Sequence, residues 1–175
     1  HLDIGSARGT FLLEMAQAKP DWNFLGTEIR DALVKEANER ARDHQLNNLY
    51  YLFCNMTQQG GLILSSLPPG CLHYVTIQFP DPWFKKRHHK RRVLQPELVN
   101  QLATFMIPNG ILYLQSDVEV VILDMIDRLQ ENGHFQRLDP DWLTENPLGI
   151  PTERERSVLR RNLPVYRVQF QRVPS

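Results

Sequence analysis

One short segment of the sequence combines a carboxylate, two prolines, an aromatic ring and a run of positive charge. It reads Phe79-Pro80-Asp81-Pro82-Trp83 and leads, through Phe84, into residues 85–92, Lys-Lys-Arg-His-His-Lys-Arg-Arg. The prolines restrict φ on both sides of Asp81, and residues that precede proline are pushed towards extended conformations. A carboxylate held this rigidly is suited to catalysis, although a Pro-Asp-Pro segment alone is more often a structural loop with a capping aspartate. Trp83 could stack on a base or simply pack.

The basic run decides between these interpretations. Residues 85–92 hold six of the twenty Lys and Arg residues and no acidic residue. The whole chain also has 20 Asp and Glu residues, so its zero net charge gives no support to a nucleic-acid partner. A local patch can nevertheless bind phosphate. Such a run is usually a solvated face or a localisation signal, but its position beside Asp81 favours contact with a phosphate backbone.

A second candidate site lies at the start of the chain. Residues 2–9 read Leu-Asp-Ile-Gly-Ser-Ala-Arg-Gly, and Glu28 follows nineteen residues after Gly9. Glycines such as Gly5 let the backbone approach a ligand closely, and an acid at the end of the second strand can hold ribose hydroxyls. NAD would need a longer Gly-x-Gly-x-x-Gly turn, and Asp3 would repel its pyrophosphate. The positive sulfonium of S-adenosylmethionine is the better match to Asp3.

Three further polar segments have competing structural roles. Asn55 could bind an adenine edge, although an isolated asparagine there is more often a turn former. Asp117 is more probable as the N-cap of the following helix than as a ligand. Thr152–Glu155 resembles a helix start, with Thr152 as the cap and Glu155 completing a capping box. The histidines at 88 and 89 and the two cysteines lack metal-ligand spacing, so no metal is expected.

Strand and helix patterns alternate along the chain and must position these residues. We predict helices over 9–18, 31–44, 57–66, 96–106, 118–131 and 153–162, with Asp31 as a possible N-cap. We predict strands up to the first glycine turn and over 23–28, Leu49–Cys54, Leu72–Phe79, Gly110–Gln115, Phe135–Leu138 and Val165–Val173, with loops at 80–92 and 139–151. This alternation is typical of an α/β domain with a mostly parallel sheet, in which ligands bind beyond the carboxyl ends of the strands.

Length and composition set further bounds. A chain of 175 residues with 42% hydrophobic residues predicts one globular domain and excludes intrinsic disorder as its main state. No apolar run is long enough to span a membrane. Two cysteines fit a reducing cytosol. Because His1 leads directly into a strand end without an initiating Met, we expect a native N-terminal segment to precede it.

With these residues assembled, the chain resembles the bacterial tRNA (guanine-N7-)-methyltransferases. The resemblance rests on residues 79–83, on Lys85 with the run from Arg87 to Arg92, on Ser116-Asp117 and on Thr152–Glu155. It extends in order from Leu2 to about Val173 and implies the class I S-adenosylmethionine-dependent methyltransferase fold. That fold is Rossmann-like, with a mostly parallel seven-stranded sheet and helices on both faces. The resemblance also implies a cytoplasmic enzyme that methylates N7 of guanine 46 in the tRNA variable loop.

The resemblance assigns roles to individual residues. It places cofactor contacts on Asp3, Glu28 and Asn55, beside the turn glycines Gly5 and Gly9, and makes Asp81 catalytic and close to both ligands. Substrate contacts fall on Lys85, Asp117, Thr152, Glu153, Arg154 and Glu155. Contacts to tRNA fall on Arg87, His88, His89, Lys90, Arg91 and Arg92. Two alternatives stay open at this point: an RNA-binding module without catalysis, and a nucleotide-dependent oxidoreductase.

Overall fold

The computed structural model describes residues 1–174. Its strands are β1 (Leu2–Ile4), β2 (Phe24–Glu28), β3 (Leu49–Phe53), β4 (Leu72–Gln78), β5 (Met106–Ser116), β6 (Phe135–Arg137) and β7 (Tyr166–Arg172). They form one seven-stranded sheet in the order β3-β2-β1-β4-β5-β7-β6. Strands β1 to β5 pair in parallel, whereas β7 is antiparallel to both β5 and β6. The predicted α/β fold with a mostly parallel seven-stranded sheet is confirmed.

The helices enclose two hydrophobic clusters on the sheet. They are α1 (Thr10–Ala18), α2 (Asp31–Asp43), α3 (Met56–Ser66), α4 (Pro96–Phe105), α5 (Glu119–Asn132) and α6 (Glu153–Arg160), with a 3₁₀ helix over Lys86–Arg91. One cluster includes buried residues of α3, α4 and α5, and the other includes buried residues of α1 and α2. The larger cluster contains Val75 and Ile77 of the central strand β4, both fully buried.

Local sequence explains where these elements begin and end. Helix α4 starts at Pro96, whose missing N–H costs nothing in the first turn, and buries Leu98, Val99 and Leu102 on one face. Helix α5 ends at Gly133, which adopts φ +75° as a left-handed C-cap. Both ends match the sequence prediction.

Some predicted boundaries differ from the structure. Residues 86–91, predicted as loop, form the 3₁₀ helix. Strand β5 begins at Met106 rather than Gly110, because a register shift between Leu72 and Tyr74 lets its first residues pair with the start of β4. Arg30, not Asp31, is the N-cap of α2, and no side chain caps that helix.

The topology brings the candidate residues to one edge. Strands β2, β1, β4 and β5 are neighbours, so their carboxyl ends lie side by side. Residues Asp3, Glu28, Asp81 and Asp117 are located at or just after those ends. Within residues 1–174, no helix is long and apolar enough to cross a membrane.

Candidate active site

The turn after β1 leaves open space at the strand end. Gly5, Ala7 and Gly9 all have positive φ, at +85°, +49° and +76°. A Cβ on Gly5 would meet nothing within 4 Å, whereas a Cβ on Gly9 would lie 2.6 Å from the Tyr51 ring. The Tyr51 hydroxyl also donates to the Gly9 carbonyl. Gly9 is therefore needed for packing, and Gly5 keeps a space free that a ligand can enter.

Asp3 lies buried beneath this turn, with 4% of its surface exposed. Its Oδ1 accepts hydrogen bonds from Thr76 Oγ1 at 2.5 Å and from Gln78 Nε2 at 3.4 Å. Burial raises the pKa of Asp3 to about 6 and outweighs the opposing effect of these two hydrogen bonds. A cation beside Asp3 would favour its ionised form.

Glu28 at the end of β2 is held by backbone and by Arg30. Its carboxylate accepts from the backbone N–H groups of Ala7, Ile29 and Arg30 and from the Arg30 guanidinium. Burial alone would raise the pKa of Glu28, but the hydrogen bonds and charge of Arg30 lower it overall. The Arg30 side chain is 61% exposed, so water screens its ion pair with Glu28 and the pair contributes little to stability.

Asn55 acts as a helix cap. Its side-chain oxygen accepts from the Thr57 backbone N–H at 3.1 Å and from Thr57 Oγ1 at 2.7 Å, at the start of α3. This local role is in line with the turn-forming role that is common for an isolated asparagine. A contact to an adenine edge through the amide nitrogen of Asn55 stays a prediction.

The loop that carries Asp81 is anchored by unusual backbone geometry. Phe79 and Trp83 have φ +50° and +43°, in the left-handed region that non-glycine residues rarely adopt. The prediction that Phe79 is extended because it precedes Pro80 is therefore wrong. The Phe79 N–H donates to the Gln115 carbonyl at 2.8 Å, which ties the start of this loop to β5. Backbone strain of this kind is concentrated at functional sites.

Asp81 is exposed and borders a cavity of about 480 Å³. The lining residues are Asp81, Pro82, Trp83, Phe84, Lys85 and His88. Trp83 packs edge-on against His88, with ring centroids 5.8 Å apart, and the Arg91 guanidinium lies 5.0 Å from its ring centroid. Trp83 therefore packs against its neighbours, and stacking on a base stays a prediction. The pKa of Arg30 is raised chiefly by its hydrogen bonds to Glu28, with a small contribution from the negative charge of Asp81.

The basic helix Lys86–Arg91 follows the cavity, and its Lys and Arg residues are exposed. Arg92 differs from them, because only 5% of its surface is exposed. Its Nε donates to the Pro82 carbonyl at 3.1 Å, and its Nη1 lies 3.3 Å from Asp124 Oδ1. The structure therefore contradicts the predicted tRNA contact by Arg92. This side chain instead anchors the Asp81 loop to α5.

Asp117 forms an ion pair across the edge of the sheet. Its Oδ2 lies 2.5 Å from Nη2 of Arg154. The N-cap of α5 is Val118, whose N–H donates to Ser116 Oγ at 3.0 Å. The N-cap role expected for Asp117 is therefore wrong, and its carboxylate faces the start of α6 instead.

The α6 segment confirms one prediction and corrects another. Thr152 caps α6 by accepting from the Glu155 N–H at 3.0 Å, as predicted. The Glu155 carboxylate, however, is 1% exposed and accepts from Arg167, Gln115 and Asn146. It does not close a capping box, and it is not free to contact a substrate. Glu153, by contrast, is exposed and accepts from Thr10 Oγ1 at 3.0 Å.

Several residues at this edge bind the candidate carboxylates but are not predicted from the sequence. Arg30, Thr76, Gln78, Gln115 and Arg167 all bind one of the candidate carboxylates or a neighbour of one. For the four of these residues that lie in strands, the sequence signal is a polar residue within a strand that otherwise reads as buried. In the part of the chain that the structure describes, no three His, Cys, Asp or Glu residues are grouped to hold a metal.

The chain is similar in sequence to known methyltransferases. The family model described as "Putative methyltransferase" matches residues 1–168. The tRNA (guanine-N(7)-)-methyltransferase of a Nostoc species is 54% identical over 173 residues, which cover 98% of this chain and 79% of that protein. The protein of the same name from Synechococcus elongatus is 56% identical over 175 residues, covering 100% and 82%.

A solved structure shares the fold at low sequence identity. The N-methyltransferase NodS from Bradyrhizobium japonicum matches with a TM-score of 0.63 at 11% identity, covering 99% of this chain and 85% of that one. The architecture is thus the class I S-adenosylmethionine-dependent methyltransferase fold. Given a family match over nearly its whole length and relatives more than half identical to it, the chain belongs to the bacterial tRNA (guanine-N7-)-methyltransferase family.

Proposed function

We propose that this chain transfers a methyl group from S-adenosylmethionine to N7 of guanine 46 in the variable loop of tRNA. The names of its relatives support tRNA and guanine N7 as the target. One observation supports the assignment most directly. Asp81 is an exposed carboxylate on a strained loop, borders a cavity of about 480 Å³ and is followed by the basic helix Lys86–Arg91.

The residues around β1 and β2 fit S-adenosylmethionine. The free space at Gly5 admits a ligand to the strand end, and Asp3 provides a carboxylate that a sulfonium would keep ionised. In this proposal Glu28 accepts from ribose hydroxyls once Arg30 moves, and the Asn55 amide contacts the adenine edge. When bound, S-adenosylmethionine supplies an electrophilic methyl group to the N7 lone pair of guanine.

The protein's task is then alignment and charge, not strong base catalysis. Guanine N7 carries a free lone pair and needs no deprotonation before it reacts, but the methylated base is cationic. Asp81 accepts hydrogen bonds from the N1–H and N2–H edge of the guanine and stabilises the positive charge that develops on it. Phe84, 68% exposed beside the same cavity, offers an aromatic face to the base.

The surrounding residues hold the tRNA. In this proposal the nucleotide that reacts is contacted by Lys85, Asp117, Thr152, Glu153 and Arg154. Asp117 and Arg154 are joined by an ion pair. Arg87, His88, His89, Lys90 and Arg91 bind the phosphate backbone. Phosphate contacts carry no base identity, so selectivity for position 46 comes from tRNA shape and the guanine pocket. We assign the enzyme to the cytoplasm, where it would act on tRNA.

Methyl transfer to two matched transcripts tests the proposal. The protein is incubated with labelled S-adenosylmethionine and either an unmodified tRNA transcript or the same transcript with adenine at position 46. We expect label at N7 of guanine 46 in the first and none in the second. Label at another atom or position contradicts the assignment. Binding of tRNA without cofactor binding in calorimetry would instead favour the RNA-binding module.

A further inference from the structure

One face of the central strands is polar close to the carboxyl edge. In β4 the apolar Val75 and Ile77 enter the hydrophobic core, while Thr76 and Gln78 occupy the alternating positions. Gln115 of β5 pairs in register with Gln78 and is completely buried. A buried side-chain amide destabilises a fold unless its hydrogen-bonding groups are satisfied.

The amide of Gln115 is held in one orientation. Its Nε2 donates to Gln78 Oε1 at 2.7 Å and to Glu155 Oε2 at 3.0 Å, and its Oε1 accepts from the Tyr113 hydroxyl at 3.1 Å. Rotating the amide by half a turn would place Oε1 against two acceptors, Gln78 Oε1 and the Glu155 carboxylate. Gln115 therefore fixes the distance and orientation of both neighbours.

Gln78 and Glu155 connect Gln115 to different parts of the active site. Gln78 donates from its Nε2 to Asp3 at 3.4 Å, on the side assigned to the cofactor. Glu155 accepts from Arg167 and lies in the first turn of α6. The three residues just before Glu155, Thr152 to Arg154, are assigned to the substrate. A continuous chain of hydrogen bonds thus runs from Asp3 through Gln78 and Gln115 to Glu155.

We propose that Gln115 is a positioning residue for the methyl transfer, one that sets the Asp3 carboxylate and the start of α6 at a fixed spacing. This inference rests on the proposed function. Without the Gln115 amide, Gln78 loses the partner that aims its Nε2 at Asp3, and Glu155 loses one of the donors that hold it. The backbone bond from Phe79 to the Gln115 carbonyl is unaffected, so the Asp81 loop itself stays anchored.

The test compares Gln115→Met with Gln169→Met. Both substitutions keep the side-chain length and remove one amide. The two residues lie on the neighbouring strands β5 and β7. Gln169 donates only to the Tyr74 hydroxyl among its described bonds, at 2.8 Å, and does not connect to Asp3 or Glu155. For Gln115→Met we expect S-adenosylhomocysteine binding and kcat at saturation each to fall about tenfold. For Gln169→Met we expect both to stay within about twofold of the wild-type values.

Two outcomes overturn the proposal. If Gln115→Met lowers Tm but leaves both the cofactor affinity and kcat equal to those of Gln169→Met, then Gln115 has only a structural role. If Gln115→Met does not fold, then Gln78→Met takes its place, because this half-buried side chain breaks the same link to Asp3. Unchanged S-adenosylhomocysteine affinity in Gln78→Met would then contradict the proposal.

A double variant supplies an independent readout. If Gln78 and Gln115 act as one unit, Gln78→Met/Gln115→Met should lose no more cofactor affinity than the worse single variant. Losses that multiply would show two independent effects and would exclude the chain of hydrogen bonds. Calorimetry with S-adenosylhomocysteine needs no tRNA. A wild-type protein that binds this ligand but does not methylate tRNA therefore refutes the proposed function alone.

Discussion

Asp81 is held in position by strained backbone conformations of residues on either side of it. The left-handed φ angles of Phe79 and Trp83 turn the chain sharply on either side of the two prolines. Arg92 then holds the loop by donating a hydrogen bond from its Nε to the Pro82 carbonyl. The carboxylate is thus exposed yet fixed in place, as a group that must stabilise charge in a transition state should be.

Asp81→Asn should therefore impair turnover far more than tRNA binding. The amide keeps the size of the side chain but loses its negative charge, so we expect kcat to fall about a hundredfold, in the range found when one electrostatic group is removed. Asp21→Asn is the matched control, since Asp21 is also an exposed aspartate that follows a proline, before the amino end of β2. Steady-state kinetics and tRNA binding measure both effects. Equal kcat for the two variants would contradict the role of Asp81.

Asp3 carries a pH dependence of opposite sign to that of an ordinary paired carboxylate. Its pKa is raised from 3.8 to about 6 in the folded state, so the folded protein holds this proton more tightly than the unfolded chain. The stability that Asp3 contributes is fully present below about pH 4 and is lost as pH rises through about 6. A shift of about two units corresponds to about 3 kcal/mol.

Asp3→Asn should remove this dependence. We expect the free energy of unfolding of the variant, minus that of wild type, to increase by about 2 to 3 kcal/mol between pH 4 and pH 7, because wild type loses stability over this range. Urea unfolding of both proteins across that range measures the difference. Glu28, whose pKa is lowered, is present in both proteins, so the comparison reports on the replacement of Asp3. A difference that does not vary with pH would show that Asp3 ionises normally in the folded state.

At the scale of elements, the side chains of the basic helix face solvent, whereas the arginine that follows the helix is buried. Arg87 and Lys90 are exposed on the helix, whereas Arg92 just beyond it is buried against α5. Arg87→Ala/Lys90→Ala should weaken tRNA binding and reduce the slope of log affinity against log salt by up to about 2. Lys19→Ala/Arg42→Ala, at two exposed positions on other elements, is the control. A slope unchanged in the first variant would remove the helix from the interface.

The elements were more predictable from sequence than their caps and tertiary contacts. Apolar periodicity located α4 and the buried run of β4, because such patterns report directly which face enters the core. The same patterns carry no information on partners distant in sequence. The local sequence predicts Asp117 as an N-cap, but its carboxylate binds Arg154, which is 37 residues later. The local sequence predicts Glu155 as half of a capping box, but its carboxylate binds Arg167 of β7.

Over the whole molecule, one edge of the sheet gathers the charges that the composition conceals. Equal numbers of acidic and basic residues give zero net charge. Yet Asp3, Glu28 and Asp81 line one edge, and the basic helix lies next to them. A cationic cofactor and an anionic RNA can thus be held on adjacent parts of the same edge. The other end of the sheet provides an internal comparison, because it also carries a glycine of positive φ.

Gly5 and Gly70 offer this comparison directly. Both have positive φ, at +85° and +72°, and a Cβ on either would meet nothing within 4 Å. Gly5 lies after β1 at the edge proposed to bind the cofactor, whereas Gly70 precedes β4 at the other end of the sheet. Substitution by alanine should cost each protein about 1 to 2 kcal/mol in the absence of ligand, since both positions require a left-handed residue.

Ligand-induced stabilisation should then distinguish the two variants. A ligand at a hundred times its dissociation constant stabilises the folded state by about 2.7 kcal/mol. With S-adenosylhomocysteine at that multiple of the wild-type constant, we expect Gly70→Ala to retain this gain and Gly5→Ala to lose most of it, because the new methyl group enters the ligand's space. Urea unfolding with and without the ligand measures the gain. An equal gain in both variants would place the adenosyl pocket away from the β1 turn and away from Asp81.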